Sequence, residues 1–296
     1  MSEPAEAQRV ADSRVGIALS MVSPFDGEAM LSFLGKRAVT GVESFERGED
    51  RITFGRTVRL AHGPACLTLV WAAGVLSVQL HPSDGADTDD ALRRVRHLCD
   101  LDADPAAIDG WLARDERLRP LVARFPGLRV PGAVDPHELA FRTMIGQQIS
   151  LAGAANCAAK IAARYGDLLA GPPGSGLHRL FPTAAALAVA DPETLPMPRA
   201  RGRAFVELAA ALADGSIDLS GAVPVEEARR GLLACRGIGH WTADYIAMRA
   251  LHAPDILLDT DLVIKRELIQ RGLRDTDAWS PYRSYATMHL WRSYVV

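Results

Sequence analysis

The segment Leu232-Leu233-Ala234-Cys235-Arg236-Gly237-Ile238-Gly239-His240-Trp241-Thr242-Ala243-Asp244-Tyr245 constrains the fold more than any other. One helical pattern ends near Cys235 and a second opens at about His240, with only Gly237-Ile238-Gly239 between them. Two glycines admit backbone angles closed to other residues and let a second backbone come close. The isoleucine between them plugs the turn into the core shared by the two helices. The N–H groups of Gly237, Gly239 and the next helical turn then surround a concave site at the positive end of a helix dipole. A phosphate fits there without any reading of base sequence, which is what a backbone grip on DNA requires. Gly-x-Gly alone also suits a plain αα-turn. The more specific signal is the full run Leu-x-x-x-x-Gly-Ile-Gly-x-x-Thr-Ala, beginning at Leu232.

The charge of the chain sets a limit on such a grip. Its 296 residues carry 33 Lys+Arg against 36 Asp+Glu, a formal net charge of −3. The balance argues against a broad basic surface of the kind that releases counterions from DNA, and leaves a local site of backbone amides open. Hydrophobic residues make up 48%, enough to bury a core without a disulfide or metal staple. Cys66, Cys99, Cys157 and Cys235 are scattered, with no CxxC pair and no histidine at ligand spacing, so neither a cofactor nor a catalytic metal is expected. They suit a reducing, cytoplasmic setting. Cys235 reads as a small buried hydrophobe rather than a reactive thiol. No segment approaches the ~20 apolar residues of a membrane span, so no membrane partner is expected. Residues 1–14 read as a disordered tail without the apolar stretch of a signal peptide.

Along the chain the pattern changes character once. Gly27 to Val39 reads as a helix, with Met30, Leu31, Phe33, Leu34 and Ala38 at helical intervals. Strand-like runs flank Gly55-Arg56 and Ala72-Ala73-Gly74, predicting two hairpins. Pro82-Ser83-Asp84-Gly85 closes this unit, placed at 15–85. From 86 to 296 the chain reads as helices, among them Pro136 to Ile145 behind the cap Asp135, and Leu151 to Tyr165, expected to be central and buried. Gly171 to Gly176 is a surface loop. The expected class is α+β: a small N-terminal antiparallel β subdomain with a helix, then a mainly helical two-part body. That body carries a helix-hairpin-helix at about 226–251.

Downstream of the hairpin, Ile256-Leu257-Leu258 leads into Asp259-Thr260-Asp261 and a further helix. Capping is the common role of Asp at such a corner. If Asp259 or Thr260 caps, Asp261 falls in the first turn, where the dipole favours its ionised form. An ionised carboxylate at the edge of a cleft stabilises a cationic sugar transition state. Spacing alone does not choose between the two roles.

Arg236 to Tyr245 followed by Asp259-Thr260-Asp261 resembles the helix-hairpin-helix glycosylase superfamily, whose catalytic aspartate follows the hairpin at this spacing. Four further stretches extend the resemblance over nearly the whole chain: Met30 to Val39, Val130 to Asp135, Ile145 to Ser150, and Tyr282 to Trp291. Within the superfamily they are similar to the bacterial inducible 3-methyladenine DNA glycosylase II family, the AlkA type.

The resemblance implies an enzyme that flips a damaged base out of double-stranded DNA and lets water release it, leaving an abasic site. It implies Asp261 as the catalytic carboxylate. Trp241 stands where lyase relatives carry a lysine, so no strand scission is expected. Phe33, Trp241, Tyr245 and Trp291 match aromatic positions of the base pocket, with Arg37 near its mouth. Leu262 is implied as a further base-pocket residue, at a position where a relative has an aromatic. Electron-rich rings suit a cationic methylated purine. Gln148 matches the side chain that fills the vacated stack, and Gly237, Gly239 and Thr242 match the DNA grip. The hairpin carbonyls of Leu233, Cys235 and Ile238 match a monovalent-ion site. The implied enzyme is a monomer associated with the bacterial nucleoid. Two alternatives differ in chemistry: a non-catalytic helix-hairpin-helix damage sensor, which needs no pocket carboxylate, and a glycosylase for oxidised purines, which carries the hairpin lysine.

Overall fold

A computed structural model describes residues 16–295; the expectation for residues 1–14 lies outside that range. The chain opens with β1 (Gly16–Ala18), α1 (Gly27–Gly35), β2 (Glu43–Arg47), β3 (Arg51–Arg59), β4 (Pro64–Ala72) and β5 (Val75–Pro82). The strands form one antiparallel sheet in the order β1-β5-β4-β3-β2. Ala73 and Gly74, both at positive φ, turn β4 into β5 as the sequence predicts. Ile52, Phe54, Val58, Leu67, Leu69, Leu76 and Val78 are buried and pack with Met30, Leu31 and Leu34 of α1.

The other predicted hairpin is not one. Gly55 and Arg56 lie in the middle of β3, opposite Ser44 and Glu43 on one side and Thr68 and Leu67 on the other. A Cβ at Gly55 would sit 2.6 Å from Ser44 Oγ, so this glycine admits a close neighbour rather than a turn. α1 also stops earlier than its apolar spacing predicts, at Gly35, where Phe45 packs against the missing side chain.

The helical part runs α2 (Thr88–Cys99), α3 (Pro105–Leu112), α4 (Arg119–Arg124), α5 (Pro136–Ile145), α6 (Leu151–Tyr165), α7 (Ala184–Ala188), α8 (Arg199–Ala213), α9 (Val225–Ala234), α10 (His240–Ala250), α11 (Leu262–Arg271) and α12 (Arg283–Val295). Local signals set many of these starts. Asp135 accepts from the N–H groups of His137 and Glu138 at 2.8 and 3.1 Å and so opens α5, with Pro136 in the first turn. The core of this body gathers Phe141, Met144, Phe205, Leu208 and Ile246, and it also takes in Ala29, Val39 and Val42 from the N-terminal unit. α6 is not the buried central helix the sequence suggests. Only Ala158, Ile161 and Ala162 of it are buried; its alanines reflect helix propensity on a partly exposed surface, not core packing. Among the described residues no helix is long and apolar enough to cross a membrane.

Four buried or nearly buried charges join the two parts. Arg56 of β3 donates to Glu43 Oε1 of β2 at 3.1 Å and to Glu138 Oε2 of α5 at 2.7 Å. Arg142, one turn along α5, donates to Glu43 Oε1 and Glu138 Oε1, both at 2.8 Å. The set is electrically neutral, and its remaining valences are used: Glu43 Oε2 accepts from Val39 N–H and Arg142 donates to Arg37 O. Burial would raise the Glu138 carboxyl, but Arg56 and Arg142 outweigh it and hold this group below the usual range.

Candidate active site

α9 and α10 are the two helices of the hairpin, pinned by Arg229, which donates to Asp244 at 2.7 Å. Gly237 has φ +79, which favours glycine, and Ile238 is buried in the core beneath the turn. Ala243 N–H donates to Gly239 O at 3.0 Å and begins the helical ladder. Among the described residues, the N–H groups of His240, Trp241 and Thr242 find no protein acceptor, as the open end of a helix dictates. The Cys235 carbonyl accepts from Ile238 N–H at 3.2 Å, which leaves it a second lone pair.

Thr242 enters the hairpin grip through its backbone alone. Its side chain is buried, and its hydroxyl accepts from Gln147 Nε2 at 2.9 Å. Only its backbone N–H faces outward with the hairpin. Gln147 also donates to Gly237 O at 3.0 Å and thereby ties the hairpin to the end of α5. Sequence reasoning passed over Gln147 for its neighbour; both sit in the same Gly-Gln-Gln run, and only the three-dimensional contact separates their tasks. Gln148 is exposed, with φ +60, on the loop between α5 and α6.

Asp261 caps α11 itself. Its Oδ1 accepts from the N–H groups of Val263 and Ile264 at 2.9 and 3.1 Å, so neither Asp259 nor Thr260 takes that position. The indole N–H of Trp241 donates to Oδ2 at 2.9 Å, and that of Trp291 to Oδ1 at 3.3 Å. Capping and a place at the cleft are thus one arrangement. Four donors converge on a half-buried carboxylate and fix both oxygens. Leu262 does not line the cleft: as the first helical residue after an inward-turned cap it points outward and is 83% exposed. Val263 borders the cleft instead.

The cleft has a volume of about 470 Å³ and lies between the sheet unit and the helical body. Phe33, Arg37, Trp241, Tyr245, Trp291 and Asp261 all line it, so positions 258 residues apart meet there. Tyr245 stacks on Trp241 with ring centroids 5.1 Å apart and planes at 14°, and Trp291 leans against Tyr245 at 6.0 Å. The far end is cationic. The Arg37 guanidinium lies 3.6 Å from the centre of the Phe33 ring, and Arg249 lies 5.0 Å from it. Arg249, which the sequence did not mark, donates to Pro131 O, Gly132 O and the Tyr245 hydroxyl at 2.6, 3.0 and 2.6 Å. Its spacing of four from Tyr245 on α10 was the available signal.

An antiparallel sheet on a helical body, a glycine hairpin with open amides, and a capped carboxylate in an aromatic cleft define the helix-hairpin-helix class of fold and site. Residues 16–135 match the AlkA N-terminal domain family. The chain is 33% identical to the Escherichia coli K12 protein named DNA-3-methyladenine glycosylase 2, over 92% of this chain and 95% of that protein. It is 37% identical to a Mycobacterium tuberculosis protein named "Probable bifunctional transcriptional activator/DNA repair enzyme AlkA", over 97% of this chain. It spans only 58% of that relative's length. The 3-methyladenine DNA-glycosylase of Archaeoglobus fulgidus has the same fold, with TM-score 0.75 and 22% identity over 93% of this chain and 96% of that one. The chain belongs to the AlkA family of DNA-3-methyladenine glycosylases.

Proposed function

We propose that this chain is a monofunctional glycosylase that extrudes an alkylated base, such as 3-methyladenine or 7-methylguanine, from duplex DNA and hydrolyses its bond to the sugar. The observation that carries this reading is Asp261, held by two backbone and two indole N–H groups at the wall of an aromatic cleft. As the bond to the base breaks, positive charge develops on the sugar, and a preorganised carboxylate stabilises it without reorganising. The base stacks on the rings of Trp241, Tyr245 and Trp291, and water takes its place at the anomeric carbon. Extrusion costs a few kcal/mol; exposed Gln148, on the loop tied to the hairpin through Gln147, fills the gap in the stack. The monomer supplies all of these groups.

The purified chain is expected to release methylated bases from alkylated duplex DNA and to leave the strand intact until alkali is added. A nicked product without alkali would overturn the monofunctional reading, because no amine stands at Trp241 to form a Schiff base.

The hairpin grip predicts different outcomes for its two glycines. A Cβ at Gly239 meets nothing within 4 Å, so Gly239→Ala leaves the fold intact and obstructs only an approaching phosphate. DNA affinity should fall by a similar factor for every sequence. At Gly237, with φ +79, alanine instead strains the backbone at a cost of roughly 1–2 kcal/mol. Binding titrations over several sequences, with melting curves for both variants, check this; a loss confined to one sequence context for Gly239→Ala would refute a phosphate grip.

A further inference from the structure

Gln147 spends one amide nitrogen on two partners that both belong to the hairpin. Its Nε2 donates to Gly237 O at 3.0 Å and to Thr242 Oγ1 at 2.9 Å. A carbonyl only accepts, so the amide must turn its nitrogen toward the hairpin. The peptide unit between Gly237 and Ile238 is thereby held at both ends, because Ile238 N–H donates to Cys235 O at 3.2 Å. Buried Thr242 carries the same hold into the first turn of α10. Gln147 thus sets the direction in which the open N–H groups at the start of α10 point.

The next residue in the chain is Gln148. It holds φ +60, a left-handed conformation that an L side chain rarely adopts and that its surroundings must impose. On one side of it the hairpin holds Gln147. On the other, Ser150 caps α6, its hydroxyl accepting from Gly153 N–H at 3.1 Å. The Gln148 side chain is exposed and held loosely, its Oε1 accepting from Arg201 Nη2 of α8 at 3.5 Å. A fixed root with a free tip suits a side chain that enters a base stack from outside.

We propose that Gln147 is a positioning residue that couples phosphate capture at the hairpin to entry of Gln148 into the stack. The proposal rests on the glycosylase reading above, in which the hairpin holds the duplex and Gln148 fills the gap. A phosphate on the hairpin amides and the root of Gln148 are then separated by one side chain and one peptide bond. No mobile segment lies between them. Without Gln147 the hairpin still offers its amides, but Gln148 loses its register with the strand they hold. Gln147 therefore supplies extrusion rather than affinity.

The test uses a duplex carrying 7-methylguanine beside 2-aminopurine, a base whose fluorescence rises when its stacking is lost. The same duplex with guanine in place of the lesion reports affinity for undamaged DNA. Gln147→Met roughly keeps the volume and removes both hydrogen bonds. The extrusion equilibrium read by fluorescence, and single-turnover release at saturating enzyme, should both fall about tenfold, the scale of two net hydrogen bonds. Affinity for the undamaged duplex should change little. An equal fall in that affinity overturns the proposal, because the loss would then lie in the grip; so does unchanged extrusion. In a Gln148→Ala background, Gln147→Met should add no further loss of extrusion. Additive losses overturn the proposal as well, since Gln147 would then act through something other than Gln148. Thr242→Val removes one of the two acceptors and keeps its shape. It should show a smaller loss of the same kind, and it decides the matter if Gln147→Met does not fold. A wild-type protein that opens the duplex but releases no base overturns the glycosylase reading and leaves the coupling standing.

Discussion

Asp261→Asn should lower base release by about 1000-fold or more, the scale of removing a preorganised electrostatic group from a catalytic site. The variant separates charge from capping better than most. Asparagine caps a helix about as well as aspartate, so α11 still begins where it does. Its Oδ1 continues to accept from Val263 and Ile264. Its amide, however, then faces the Trp241 indole N–H, donor against donor, where Oδ2 accepted at 2.9 Å. That mismatch should cost roughly 1–3 kcal/mol of stability, well short of unfolding a typical domain. Binding to a duplex with an abasic analogue should therefore survive while release does not. Activity within tenfold of wild type would remove Asp261 from the chemistry.

Arg56→Met should destabilise the fold by about 3–5 kcal/mol, as expected when one partner of a buried ion set is removed. Glu43 and Glu138 would be left with Arg142 alone. The pH dependence follows from Glu138. Its carboxyl is depressed in the folded protein, so the stability it contributes is present above its unfolded value and lost as pH falls through the folded one. Removing Arg56 takes away part of that depression. The gap between wild type and variant should be widest near pH 7 and narrow on acidification below about pH 4, where carboxylates protonate. Urea titrations at both pH values measure it, and a gap independent of pH would mean that packing, not charge, is what Arg56 supplies.

What could be read from the sequence was what is local. Gly237-Ile238-Gly239 and the Asp135-Pro136 start of α5 depend on neighbours a few residues away. Asp261 was visible too, but its two candidate roles merged only when Trp241 and Trp291 were seen to donate to it. The errors share a cause. Gly55 reads as a turn because a glycine that admits Ser44 from the next strand looks, in one dimension, like a glycine that bends. The alanines of α6 measure helix propensity and not depth. Arg56, Gln147 and Arg249 carry no local signature at all: their partners are 82, 90 and 118 residues away, on elements that only the folded chain brings together. Leu262 matches a position where a relative has an aromatic residue, but here the cap at Asp261 turns its successor outward.

Open amides of the hairpin and two rings of the cleft wall, Trp241 and Tyr245, belong to the same helix, α10, whose first residues are His240 and Trp241. The grip and the pocket are consequently two marks on one rigid ruler. A strand held at the hairpin presents its bases to the cleft at a single offset, and no loop intervenes to vary it. Under the proposed function, inspection of DNA is then a matter of phase: a lesion is tested only when the strand has slid into register, however tightly the phosphate is held. Tighter holding would slow the stepping between registers, so on that reading a local grip of backbone amides suits a chain of net charge −3 better than a broad basic surface would.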